Sequence, residues 1–132
     1  MTQINPYLTF KGNCREAMTF YKKCFGGKLT LTTVEDSPMA TQWPANLQKN
    51  ILHAELKKKG LVLLGSDMAP AEGTVNGNTI SLALNCSSEE EITSFFANLS
   101  ADGKVTHPLH KFYNGIIGAL TDKYGMNWVF KL

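Results

Sequence analysis

Glu16-Ala17-Met18-Thr19-Phe20-Tyr21, closing at Gly27-Lys28-Leu29-Thr30, returns later in the chain as Glu91-Ile92-Thr93-Ser94-Phe95-Phe96, closing at Gly103-Lys104-Val105-Thr106. A second pair follows in the same order. Ile51-Leu52-His53-Ala54-Glu55 runs to Lys58-Lys59-Gly60-Leu61, and Ile116-Ile117-Gly118-Ala119-Leu120 runs to Lys123-Tyr124-Gly125-Met126. Ile51/Ile116, Ala54/Ala119, Lys58/Lys123 and Gly60/Gly125 coincide. A duplicated unit that cannot bury a core alone is expected to pair with its copy. Two curved copies so paired leave a shared concavity, which is where a ligand is to be sought.

Working outward from the repeat, each copy reads as strand, helix and three strands. In the first, Tyr7-Leu8-Thr9-Phe10 alternates and is β-prone. Gly12-Asn13 breaks it, and Asn13 with Glu16 has the spacing of a capping box. Ala17, Phe20, Tyr21, Cys24 and Phe25 form the apolar stripe of an amphipathic helix, stopped by Gly26-Gly27. Residues 28–35 alternate again as a half-buried strand. Residues 36–50 carry two prolines and little periodicity, a loop. Residues 51–56 and 61–65 flank Lys57-Lys58-Lys59-Gly60 as a hairpin. The second copy repeats this with a strand at 80–85, a helix capped by Ser87 or Ser88 and ending at Asp102-Gly103, a strand at 104–106, and a hairpin of 116–121 with 126–131. His107 and His110 flank Pro108 in the segment before that hairpin and read as loop residues, because the proline opposes a helix there. The expectation is one α+β domain over residues 1–132, with modules of approximately 1–70 and 79–132. The two βαβββ modules pair into a curved mixed sheet enclosing a cup.

At 132 residues the chain is long enough to bury most of its apolar surface. A net charge of +2 gives no ground for a nucleic-acid or anionic-membrane partner. The lysine run reads as a solvated turn. Three cysteines, Cys14, Cys24 and Cys86, without a C-x-x-C spacing point away from a disulfide framework and toward a reducing, cytoplasmic setting. No basic-then-apolar leader and no membrane-length apolar run stands in the sequence.

The segments Pro6-Tyr7-Leu8-Thr9-Phe10, Gly12-Asn13, Glu16-Ala17, Phe20-Tyr21, Phe25-Gly26-Gly27, His53-Ala54-Glu55-Leu56, Ser66-Asp67 with Pro70, Pro108-Leu109, Phe112, Gly115, Gly118, Asp122, Tyr124-Gly125 and Trp128 span nearly the whole chain. In that order they resemble the PhnB-like branch of the vicinal-oxygen-chelate superfamily, the group of glyoxalase I, bleomycin-resistance proteins, fosfomycin-resistance enzymes and extradiol dioxygenases. The resemblance implies a paired βαβββ fold, a homodimer and a small-molecule site in each cup. In metal-using members it implies a divalent ion held by His, Gln or Glu of the opening strands and closing hairpins, acting as a Lewis acid. Here the opening-strand positions fall at Tyr7 and near Ser81, and the closing strands Leu61–Leu64 and Met126–Phe130 supply no carboxylate. No metal ligand set and no cofactor is therefore assigned, and a divalent ion would need a site unlike the superfamily's.

His53 and Glu55 lie two apart on one strand and so share a face. If that face lines the cup, they are an acid–base pair or two metal ligands. If it faces out, His53 packs and Glu55 is solvated. Asp67 follows the hairpin and reads first as a turn former bonding its own backbone, with ligand contact second. Cys14, at a helix N-terminus, reads as a passive thiol. Aromatic residues are the better binding candidates: Trp43 in the long loop, Phe112-Tyr113 before the final hairpin, Trp128 on the last strand, and Tyr7. Tyr113 stands where the branch often has Trp.

Two functions follow. The first is a dimeric pocket protein that binds or sequesters a small apolar or aromatic molecule. The alternative is a lyase, isomerase or group-transfer enzyme using His53 and Glu55 around a non-standard divalent site.

Overall fold

In the computed structural model, which describes residues 2–132, the chain divides into two compact units at Thr74/Val75. The first holds β1 (Tyr7–Thr9), α1 (Cys14–Phe25), β2 (Lys28–Thr33), β3 (Ile51–Lys58) and β4 (Leu61–Ser66). The second holds β5 (Leu82–Asn85), α2 (Glu89–Ser100), β6 (Lys104–Phe112), β7 (Gly115–Thr121) and β8 (Asn127–Lys131). The sheet orders are β1-β4-β3-β2 and β5-β8-β7-β6, so the second unit reproduces the first strand for strand. In each, the opening strand pairs parallel with the fourth strand and the remaining pairs are antiparallel. These are two mixed four-stranded sheets with one helix each, an α+β fold.

In the first unit the periodicity of α1 decides the packing. Cys14, Ala17, Met18, Tyr21, Cys24 and Phe25 are buried, a stripe at helical spacing, and α1 lies on β2, β3 and β4. Leu8, Ile51, Ala54, Leu56 and Leu63 are among the buried strand residues. Each large side chain so removed from water contributes about 1.5–3 kcal/mol. Gly65 on β4 permits the close approach of the helix: a Cβ there would meet Met18 Sδ at 3.1 Å and Cys14 Sγ at 3.2 Å.

The start of α1 departs from the expected capping box. Asn13 makes no side-chain cap bond. The cap is Asp67, far along the chain. Its Oδ1 accepts from Gly12 N and Cys14 N, both at 2.9 Å, and its Oδ2 accepts from Ile51 N at 2.8 Å. A full negative charge there serves both the orphan N–H groups and the positive end of the helix dipole. α2 is capped as expected: Glu91 N donates to Ser88 Oγ at 3.1 Å, and the Glu91 carboxylate accepts from Ser87. The loop after β2 contains two short 3-10 turns, Ala40–Gln42 and Ala45–Leu47.

In the second unit the buried residues Ile92, Phe96 and Leu99 of α2 lie over the sheet that carries Leu120, Trp128 and Phe130. Phe96 and Phe130 pack edge-to-face at 5.0 Å. The segment expected as a loop around His107 and His110 is strand instead. β6 continues to Phe112 and pairs with β7, leaving only Tyr113 and Asn114 in the turn. Pro108 is tolerated because β6 is the edge strand and the register shifts at that point, so no ladder bond from its nitrogen is needed.

Candidate functional site

The helix-free face of the first sheet gathers the most sequence-selected groups. Ala54 and Leu56 are buried under α1, so the alternation of β3 turns His53 and Glu55 the other way. This settles their orientation: His53 is exposed and Glu55 half-buried on the side away from the helix. Cross-strand pairing then fixes their neighbours. Glu55 lies between Thr30 of β2 and Leu64 of β4, Tyr7 of β1 lies beyond Leu64, and His53 lies opposite Thr32. Residues directly opposite share a face, so Tyr7, Leu64, Glu55 and Thr30 form one row across the sheet. Tyr7 is 55% exposed, and its ring meets the His53 imidazole over that row at 6.5 Å between centroids, tilted by 37°.

At the hairpin end, the same face opens into a cleft of about 730 Å³. Glu55, Lys57 and Val62 form one side of it, and Gln3 and Asn5 of the N-terminal segment line it too. That volume lies in the range of small-molecule sites. Glu55 is the residue common to the row and the cleft. An imidazole, a phenol and a carboxylate around aliphatic Leu64 can hydrogen-bond a polar substituent while the aromatic ring covers an apolar body.

The other sequence-selected residues have different surroundings. Asp67 is 6% exposed with both oxygens taken by backbone N–H groups, so it braces the fold rather than bonding its own turn. Trp128 is 2% exposed, and its indole N–H donates to Asp122 Oδ2 at 2.8 Å, which makes it core. Asp122 Oδ1 accepts from Tyr124 N and Met126 N, closing the β7–β8 turn. Trp43 is half-buried between the 3-10 turns, its carbonyl accepting from Gln48 Nε2 at 2.9 Å. Phe112 and Tyr113 stack edge-to-face at 4.5 Å on the β6–β7 hairpin tip, with Tyr113 92% exposed at φ 55°. The structure thus unites Tyr7, His53 and Glu55 in the first unit and puts Phe112, Tyr113 and Trp128 in the second.

Cys14 is fully buried, and burial, then the nearby Asp67 charge, push its thiol up to about 12. Burial, then Glu91, also raises the Cys86 thiol. Neither is an activated nucleophile. Among the described residues no three His, Cys, Asp or Glu side chains converge as a metal site. The donors on this face are Tyr7, His53 and Glu55, with a phenol at the opening-strand position. No helix among the described residues is long and apolar enough to cross a membrane.

Comparison with known proteins bears on this arrangement. Residues 2–130 match the model of the family described as 3-demethylubiquinone-9 3-methyltransferase. The chain is 28% identical to Protein YjdN of Escherichia coli K12, over 98% of this chain and 94% of that one. It is 35% identical to protein PA1353 of Pseudomonas aeruginosa, whose crystal structure superposes with a TM-score of 0.86 over 98% and 96% of the two chains. A Bacillus cereus PhnB protein, titled a putative 3-demethylubiquinone-9 3-methyltransferase, is 26% identical with a TM-score of 0.75 over 99% of each chain. The fold alone extends to a glyoxalase-related enzyme of Fulvimarina pelagi (20% identity, TM-score 0.59) and the fosfomycin resistance protein FosX of Listeria monocytogenes (10%, 0.66). With nearly its full length matched and both units in the same strand order, the chain belongs to the PhnB-like family described as 3-demethylubiquinone-9 3-methyltransferase, and it shares its fold with glyoxalase/bleomycin resistance/dioxygenase structures.

Proposed function

We propose that this protein binds a small apolar or aromatic molecule on the helix-free face of its first sheet, acting as a homodimeric binding or sequestering protein. The observation that carries this reading is the Tyr7–His53 ring contact at 6.5 Å on the same face as Glu55, the residue that also lines a cleft of about 730 Å³ at the hairpin end. An exposed aromatic ring on a sheet face supplies contact area at little entropic cost, and His53 and Glu55 supply orientation. The test is a native mass spectrum of the purified protein, followed by Tyr7→Ala. A dimer carrying a co-purified organic mass that Tyr7→Ala loses supports the reading. A ligand retained equally by Tyr7→Ala overturns its placement.

A second reading has its own observation, the imidazole and carboxylate side by side on β3. They could serve as base and acid in a lyase, isomerase or group-transfer reaction. The family description names transfer of a methyl group to a demethylubiquinone, and such a phenolic acceptor would suit the same aromatic face. His53→Ala and Glu55→Ala should each abolish any turnover found. Unchanged turnover and metal content in both would remove this reading and leave binding alone.

A further inference from the structure

We infer that His107 and His110 on β6 of the second unit form a two-imidazole site for a borderline transition-metal cation such as Ni²⁺ or Zn²⁺. On a regular strand, residues three apart point to opposite faces. Here the register shifts: His107 pairs with Ala119 and His110 with Ile117, so three steps along β6 answer two along β7. Ala119 and Ile117 flank Gly118, where a Cβ would meet Phe96 of α2 at 3.0 Å and Leu109 at 2.8 Å. Gly118 therefore faces the helix, and its two neighbours face away from it. Leu109, between the histidines, points under α2, and both imidazoles are carried to the helix-free face, where both residues are exposed. The bulge that absorbs Pro108 is what aligns them.

Partners two residues apart on β7 put the histidine Cα atoms about 7 Å apart, within reach of two imidazoles closing on one ion. A second feature prepares the ligand. His110 Nδ1 lies 2.8 Å from the carbonyl oxygen of Pro108. A carbonyl only accepts, so Nδ1 carries the proton and Nε2 keeps its lone pair. This is the arrangement by which metal-bound histidines are oriented through their other nitrogen. Imidazole donors favour Ni²⁺, Cu²⁺ and Zn²⁺ over Mg²⁺ or Ca²⁺, and water completes the coordination.

The experiment is a Ni²⁺ titration of the untagged full chain by calorimetry, with proton NMR of the imidazole signals of its three histidines. One ion per chain is expected, with the His107 and His110 signals broadening together. His107→Ala and His110→Ala should each weaken binding at least tenfold, while His53→Ala leaves it unchanged. Mg²⁺ should produce no effect. The inference is overturned if no ion binds, if two ions bind independently with each substitution removing one, or if the double variant still binds. NMR dispersion of the variants reports that the fold persists, so lost binding is not lost structure. None of these readouts depends on a ligand at Tyr7 and His53.

Discussion

Asp67→Asn is the sharpest test of how the first unit is held. One carboxylate accepts three backbone N–H groups, two at the entry to α1 and one at the start of β3, at 2.8–2.9 Å from a residue only 6% exposed. Hydrogen bonds to a charged group contribute about 1.5–3 kcal/mol each. Three bonds on one carboxylate are not independent, so their sum is a ceiling. Asparagine keeps the shape and one acceptor oxygen. It removes the charge facing the α1 N-terminus and turns an NH₂ toward one of the donors, which leaves that N–H buried and unpaired. The expected loss is about 2–4 kcal/mol, a large part of the roughly 5–15 kcal/mol that holds a domain together. In urea unfolding followed by circular dichroism, the midpoint should fall by on the order of 1–2 M with little change in slope. Asn13→Ala is the control. Asn13 makes no side-chain cap bond, so its loss should cost no more than about 0.5 kcal/mol, the ordinary surface range. The reasoning is refuted if the two variants exchange these behaviours, or if Asp67→Asn moves the midpoint by less than about 0.3 M.

Trp128→Phe should destabilise the second unit by about 1–3 kcal/mol, because the Asp122 oxygen that accepts the indole N–H at 2.8 Å is left without that donor in a buried position. Thermal unfolding of the variant checks it, and an unchanged midpoint would mean that the bond contributes nothing. Thiol labelling at pH 8 should modify Cys86 first. Cys14, raised to about 12, holds only roughly one thiolate in 10⁴ at that pH. Cys14 and Cys24 are buried and should label only in denaturant. Linkage gives a third expectation. The folded-state pKa of Cys14 lies above the unfolded value of 9.0, so its contribution to stability is complete below pH 9 and is lost as the pH rises toward about 12. The stability of the parent protein relative to Cys14→Ala should fall across that window, and parallel pH profiles would contradict the assignment.

Local pattern carried the repeat, and with it the strand–helix–strand order of both units, because apolar spacing at 3.6 and 2 residues is imposed by which face must leave water. Most of the α1 stripe (Ala17, Tyr21, Cys24 and Phe25, with Phe20 only half-buried and Cys14 and Met18 completing it), the Ser88 cap and the shared face of His53 and Glu55 were legible in this way. The direction of that face was not, since alternation says only that two faces differ. The packing of Ala54 and Leu56 under α1 decided it. Distance in sequence hid the Asp67 cap: a nearby Asn13 satisfies the capping pattern, while the group that reaches the N–H atoms arrives from the end of β4. The bulge in β6 was hidden for a related reason. Pro108 forbids a helix and breaks a regular ladder, and whether the chain then loops out or bulges on an edge depends on β7 being there to pair with it. Sequence alone thus determined the order of the elements, though not the extent of β6, because most elements answer to their own residues. The tertiary structure decided which way the side chains point and which polar groups meet, because those depend on partners that the chain supplies from far away.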